Sequence, residues 1–485
     1  MISRSFIRSS FIYTLAGALP MASAVILLPF YIHYLPTEVY GALAISLALA
    51  TFVQILTTYS FDSSLYIHYH EFKYDKAKLE SFISSAFIFL VGLGLVVGMV
   101  LSISGQFIFA YLLPSSTLSF YPYGMIAVGV GVFQAIFKVH GNLLQTREKP
   151  ETFLWSNVSS FAVIAISTIV GLQLFPGTLV GPLGGRLLAA FLSASWALVR
   201  VFREFGFHFQ SPWQNTSRSF NAYTFIYQLQ QWVINYVDRF IILFFMPVAA
   251  LATVGIYEFA IKCLAPIELL LNGLNASIYP QVIKQINNQE GPKSSSPEIN
   301  RYFYGQVSVM MVMICLSIIV LPFLVDWFIQ KSNYREALRY VPYLAVIFVL
   351  RSLRLYFVMP YNVLRKMQRL TILNFLISIL KIGLMIVLIL KWQIMGIIVS
   401  SIISYGIEMI LLWYYLKDDY KMKFNSFKLL TAPLFLFFLI LLTEPFVPSF
   451  YLSFVHLGYG VICAILLWFS YRNEMKLISP SIFIK

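Results

Sequence analysis

From Ser81 to Ile103 the chain runs for 23 residues without an Asp, Glu, Lys or Arg. A bilayer-spanning helix needs about 20 mostly apolar residues. Fourteen segments of this kind follow one another along the 485 residues: 10–32, 40–61, 81–103, 119–139, 152–174, 179–199, 221–246, 254–282, 302–326, 339–362, 370–390, 394–415, 429–447 and 450–471. Only 11% of residues are charged, against about 25% in a typical soluble domain. No soluble core of this size hides so much apolar surface, so the bilayer is the solvent. The expected fold class is an all-α polytopic membrane protein with 14 transmembrane helices.

The first segment follows Arg4 and Arg8 and contains Ala22-Ser23-Ala24, which mimics a signal-peptidase site. Its apolar run continues to Ile32, beyond the roughly 7–15 residues of a signal-peptide core, and is expected to remain as the first helix. The net charge of +14 would point a soluble protein toward nucleic acid. Its distribution gives another account. Of 34 Lys and Arg, 24 fall on the N-terminal side of the membrane and 4, Lys331, Arg335, Arg339 and Lys391, on the other. Positive charge concentrates in cytoplasmic segments. Both termini and Ser295 are therefore expected in the cytoplasm, with Ser115 and Ser449 outside. The excess is topological, drawn to anionic inner-leaflet lipid, and implies no nucleic-acid partner. The polar stretch Lys284–Asn300 reads as a flexible connector.

The six remaining cations, Arg186, Arg239, Lys262, Arg351, Arg354 and Lys381, lie within apolar segments. So do the acids Asp238, Glu258, Glu268 and Glu408, and Asp62 stands at the end of the second segment. Each mid-membrane charge costs roughly 2.5–3.5 kcal/mol on insertion scales, so these groups need a wet cavity or a partner. Arg351 and Arg354, three apart, share one helix face. They either line a cavity or pair with acids on other helices, such as Glu408. Glu258 and Lys262 are four apart, so they neutralise each other or form a proton-sensitive site. Asp238 and Arg239 are adjacent and point apart, so each calls for its own partner, in a structural tie or a gate. Arg186 lies near a helix end and either snorkels or faces a cavity. Lys381 is a cavity candidate. Pro20, Pro29, Pro266 and Pro280 are expected to bend their helices. Cys263, Cys315 and Cys463 sit in apolar segments and read as small buried side chains. His68 and His70 lack further ligands, so no metal or cofactor is expected.

Two echoes suggest a repeat. Asn142-Leu143-Leu144-Gln145-Thr146-Arg147-Glu148-Lys149 echoes Asn362-Val363-Leu364-Arg365-Lys366-Met367-Gln368-Arg369 at an offset of 220, and Pro36-Thr37-Glu38-Val39-Tyr40-Gly41 echoes Ala252-Thr253-Val254-Gly255-Ile256-Tyr257 at 216 between the threonines. Each offset spans six segments, an even number, so the halves share one orientation. The expected layout is an N-terminal lobe (1–205), a C-terminal lobe (206–428) and an added helical hairpin with a tail (429–485).

In the loop Leu35-Pro36-Thr37-Glu38-Val39-Tyr40-Gly41, in Asp238-Arg239 followed by Val254-Gly255-Ile256-Tyr257, and in Gln145-Thr146-Arg147-Glu148-Lys149, the chain resembles the polysaccharide-unit (Wzx-type) flippases. These serve O-antigen and capsule assembly and belong to the multidrug/oligosaccharidyl-lipid/polysaccharide exporter superfamily. The likeness extends over most of residues 1–420. It implies two six-helix lobes, related by a pseudo-two-fold, around a central cavity. It also implies alternating access for a polyprenyl-pyrophosphate-linked oligosaccharide at a bacterial inner membrane, with polysaccharide polymerase and glycosyltransferases as partners beside membrane lipids. Arg351, Arg354, Arg239, Lys381 and Arg186 are the expected substrate-binding residues. Asp238, Glu258, Lys262, Glu268 and Glu408 are the expected coupling or gating residues. A multidrug exporter and a peptidoglycan-precursor flippase of the same superfamily are the alternatives. The outside loops are short and poor in acids, which argues against a membrane enzyme.

Overall fold

The computed structural model describes residues 19, 23–72, 74–112, 118–209, 215–246, 249–289, 293–328, 332–364, 366–447 and 452–475. The start of the first apolar segment with Pro20, Ser115, Arg365, Ser449 and both termini lie outside the described residues. No strand occurs among the described residues; an isolated bridge joins Ser294 and Lys421. A helix falls on each of the apolar segments of the sequence. Nine helices among the described residues are long and apolar enough to cross a membrane. The chain is a multi-pass helical membrane protein, and it divides into two compact units, 1–255 and 256–485.

The first unit contains α1 (Leu28–Tyr34), α2 (Thr37–Thr58), α3 (Phe61–Phe72), α4 (Lys76–Leu112), α5 (Met125–Thr146), α6 (Pro150–Leu174), α7 (Val180–Phe205) and α8 (Asn215–Phe245). α5 packs against α2, α4 and α7, and α6 lies along α7. Glycine makes the α6–α7 approach possible. A Cβ on Gly181 would come within 2.5 Å of the Gly171 carbonyl carbon, and one on Gly185 within 2.8 Å of the Thr168 nitrogen. α3 was not expected, because the sequence there is too short and too polar to span a bilayer. Its Phe61 and Leu65, one turn apart, are buried with Ile83, Phe87 and Leu90 of α4 and Val139 and Leu143 of α5. A helix this short forms because its apolar residues meet the bundle.

The unit closes where α9 (Ala250–Cys263) begins. Here segments 37–41 and 251–255 touch. A Cβ on Gly41 would fall 1.9 Å from the Leu251 oxygen, and one on Gly255 would fall 2.0 Å from the Thr37 oxygen. No residue but glycine allows two helix starts to meet backbone to backbone in this way.

The second unit continues α9 and adds α10 (Ala265–Asn287), α11 (Pro297–Phe328), α12 (Val341–Val363), α13 (Met367–Leu416), α14 (Ala432–Thr443) and α15 (Leu452–Ser470). The single segment read as 254–282 is two helices broken at Leu264, with Pro266 in the first turn of α10, where its missing N–H costs nothing. α13 turns back on itself at Gln393, which takes φ 51°, so two apolar segments are joined through one left-handed residue. Gly396 admits the turn, since a Cβ there would meet the Leu388 oxygen at 2.3 Å.

The end of the connector read as flexible is pinned. Ser295 Oγ donates to the Lys423 carbonyl at 2.8 Å and accepts the Lys423 N–H at 2.6 Å. Asp419 accepts Arg369 Nη1 at 2.9 Å and also pairs with Lys366, which holds its carboxyl below the usual carboxylate range. Because Ser295 is buried, orientation is better read at exposed Asn425 and Pro176. In a chain lacking its three cysteines, a membrane-impermeant thiol reagent applied to intact cells is expected to label Pro176→Cys and spare Asn425→Cys. The reverse pattern would invert the topology.

Candidate functional site

In the second unit Glu258, Lys262, Glu268, Arg351, Arg354 and Glu408 each have an opposite charge beside them. Arg351 and Arg354 project from α12 toward different acids. Arg351 Nη2 lies 3.1 Å from Glu268 Oε1 on α10, and Arg354 Nε lies 2.6 Å from Glu408 Oε1 on α13. Arg354 Nη2 also donates to Asn374 Oδ1 at 3.3 Å. Ion pairing with acids of other helices thus describes both arginines, and Glu408 is the partner named from sequence. Glu258 and Lys262 form the self-neutralised pair at 3.3 Å, one turn apart on α9. Lys381 is buried on α13, two turns from Asn374 on the same face.

In the first unit Asp238 and Arg239, expected to need separate partners, meet each other: Arg239 Nη1 lies 2.7 Å from Asp238 Oδ1, and both residues are buried. The expectation considered only the directions of the two Cβ atoms. The long guanidinium stem curls back past its neighbour and also reaches the Asn235 carbonyl. Lower on α8, Gln228 Nε2 donates to both Asp62 carboxylate oxygens at 3.2 and 3.3 Å.

Between α2, α5, α6 and α7 lies a cavity of about 410 Å³. Lys138 and Arg186 are its charged lining residues, and no Asp or Glu lines it among the described residues. Amides and hydroxyls supply the remaining polar groups, from Gln54, Gln134, Asn142, Gln145, Asn157 and several serines. Lys138 Nζ is held at 2.9 Å by Asp62 Oδ2, which is not part of the lining. Arg186 lines the cavity, and its buried Nε has no hydrogen-bond partner among the described residues. This cavity was missed as a site from sequence. Its signal was there: Gln134, Lys138 and Asn142 recur every four residues on one face of α5.

A second cavity, of about 560 Å³, shares Phe137, Ser160 and Ser193 with the first and adds Trp155, Trp196, Arg200 and the acid Glu151. In the other unit an apolar cavity of about 770 Å³ lies between α12, α13 and α14, walled by Phe357, Met409, Trp413, Phe437 and Phe438, with Lys423 in its lining.

The sequence profile of the family described as "Polysaccharide biosynthesis protein" matches residues 6–286. The chain belongs to this family. The matched span contains all of α1–α9 and the polar cavity. A search of the curated proteins finds no match. Among solved structures the chain is similar to the lipid II flippase MurJ in an inward closed conformation. The TM-score is 0.71 at 14% identity, over 97% of this chain and 100% of that one. An inward-facing multidrug resistance MATE family transporter of the MOP superfamily gives a TM-score of 0.61 at 9% identity, over 83% and 95%. The MATE multidrug transporter DinF-BH gives 0.57 at 14%, over 86% and 96%. At these identities the likeness is one of fold.

Proposed function

We propose that this chain flips a lipid-pyrophosphate-linked oligosaccharide from the cytoplasmic to the outer leaflet of a bacterial cytoplasmic membrane, by alternating access, for surface polysaccharide biosynthesis. The family match over residues 6–286 carries that reading. The chemistry of the cavities supports it. A cationic drug is the wrong occupant for a cavity whose charged lining is Lys138 and Arg186. The apolar cavity of the second unit suits a prenyl chain, with Lys423 near its anionic end. A peptidoglycan precursor shares the pyrophosphate linkage and differs in its saccharide.

Arg351, Arg354 and Arg239 each have a carboxylate partner, Glu268, Glu408 and Asp238. A phosphate oxygen that reaches such an arginine competes with its acid for the guanidinium donors. Asp238, Glu268 and Glu408 then act as gates on their own arginines, with Glu258 and Lys262 as a further coupling pair and Lys381 and Arg186 as further binding cations. Polymerase and glycosyltransferases are the partners that would consume and supply the substrate.

A lipid pyrophosphate carries about two negative charges, so an inside-negative potential favours its outward movement by about 4–5 kcal/mol at 100 mV. In proteoliposomes at equal pH, flipping of a prenyl-pyrophosphate oligosaccharide is expected to quicken when that potential is imposed. Absence of transfer under any gradient would overturn the flippase reading, and dependence on a pH or sodium gradient alone would overturn the energetic one.

A further inference from the structure

We infer that the cavity between α2, α5, α6 and α7 is a saccharide subsite for a sugar ring bearing one anionic group, its anion on Arg186 and its hydroxyls on the surrounding amides and serines. This deepens the flippase reading and rests on it. The volume of about 410 Å³ lies within the roughly 300–1,000 Å³ of small-molecule sites. Its two cations are not equivalent. Lys138 is already engaged by Asp62 at 2.9 Å, whereas Arg186 has a buried Nε without a partner among the described residues. A guanidinium donor left in this way calls for an acceptor, and its planar fork matches a carboxylate or a phosphate.

The neutral lining specifies the rest of the ligand. The Asn157 amide donates to the Phe153 carbonyl at 2.8 Å, that of Asn142 to the Asp62 carbonyl at 3.3 Å, and that of Gln54 to the Gln134 carbonyl at 3.4 Å. Each of these amides keeps its own oxygen for a further donor, and a sugar supplies hydroxyl donors. A hydrocarbon tail would bury those oxygens unpaired. The adjoining cavity extends the polar track and brings in two indoles, Trp155 and Trp196. The exposed Trp155 ring offers a flat apolar face to the C–H face of a following ring, while Arg200 already lies over Trp196. The track therefore accommodates more than one sugar.

The anion has two candidate sources, a sugar 1-phosphate or a carboxylate on the ring. The test titrates full-length protein in lipid nanodiscs with glucuronate, glucose 1-phosphate, glucose and inorganic phosphate, followed by ligand-observed NMR. Both anionic sugars are expected to bind about tenfold more tightly than glucose, the worth of one charge-assisted hydrogen bond, and more tightly than inorganic phosphate. Arg186→Gln is expected to erase that advantage while glucose still binds, which also reports an intact pocket. Arg186→Lys is expected to restore part of it. A preference for glucose 1-phosphate assigns the anion to the phosphate linkage, and one for glucuronate assigns it to the ring; either supports the subsite. Equal affinity for charged and neutral sugars in the wild type, or an unchanged preference in Arg186→Gln, would overturn it. No transport is measured, so failure here leaves the flippase reading standing. Failure of flipping alongside intact sugar binding strikes that reading alone.

Discussion

Glu408→Ala is expected to strip most of the folded protein from the membrane. Glu408 is 3% exposed on α13, and its carboxylate holds Arg354 Nε at 2.6 Å. Without it the arginine keeps only the neutral Asn374 oxygen at 3.3 Å among its described contacts. Removing one partner of a buried pair costs about 3–5 kcal/mol, because the other charge stays buried and uncompensated. That is a large share of a typical fold's 5–15 kcal/mol. Replacing both residues by leucine removes the stranded charge with the pair, a change that is often near neutral, so Arg354→Leu with Glu408→Leu is expected to recover most of the abundance. The Arg351–Glu268 pair is a useful contrast, with side chains 29% and 26% exposed. It is less enclosed than the Arg354–Glu408 pair, and Glu268→Ala is expected to lower abundance less than Glu408→Ala does. Membrane abundance and melting midpoint in detergent measure all three. Wild-type levels of Glu408→Ala would show that Arg354 has another counter-charge and would end its role as a structural tie. If the double leucine protein is abundant but does not flip, the pair serves transport as well as folding.

The spanning helices were legible in the sequence because a bilayer tests only length and apolarity, both local properties. α3 was not, since Phe61–Phe72 is short and carries Asp62, His68, His70 and Glu71; its helix depends on neighbours that bury its apolar residues. The charged residues divide along the same line. Glu258 and Lys262 pair as their spacing indicated, because one helix contains both. Arg351 and Arg354 share a face as read, yet that face meets acids on two other helices, a fact of packing that spacing does not carry. Asp238–Arg239 was misread by treating side chains as rigid vectors. Lys138 was counted among loop charges at a segment edge, although Gln134 and Asn142 mark the stripe that carries it into the bundle. Its partner Asp62 comes from a distant helix, and no local pattern joins the two. The family resemblance reached the family itself, while the position of the polar cavity needed the fold.

Asp62→Asn is expected to tighten the hold of that cavity on glucose 1-phosphate by about tenfold, with little loss of stability. The substitution removes the charge that occupies Lys138 and keeps an oxygen for Gln228 Nε2, now at 3.2 Å. Lys138 is not stranded as Arg354 would be. Its side chain is 38% exposed and borders the cavity, so the freed ammonium stays hydrated and the cost is about 1 kcal/mol. Once free, it adds a second positive charge to the lining. Two unit charges 8 Å apart attract by about 2 kcal/mol at an effective dielectric constant near 20, and tenfold in affinity requires 1.4 kcal/mol. Tighter binding slows release, so flipping is expected to fall as affinity rises. Lys138→Met makes the opposite lesion: Asp62, with its side chain 7% exposed, keeps only the Gln228 amide among its described side-chain partners, and abundance is expected to drop. Titration of both variants with glucose 1-phosphate, read beside their melting midpoints, separates the two effects. An Asp62→Asn protein that binds no better than wild type would mean that Lys138 already reaches the ligand from its salt bridge. Weaker binding would mean that the carboxylate itself orders the sugar, and the proposed competition between Asp62 and the anion for one ammonium would be wrong.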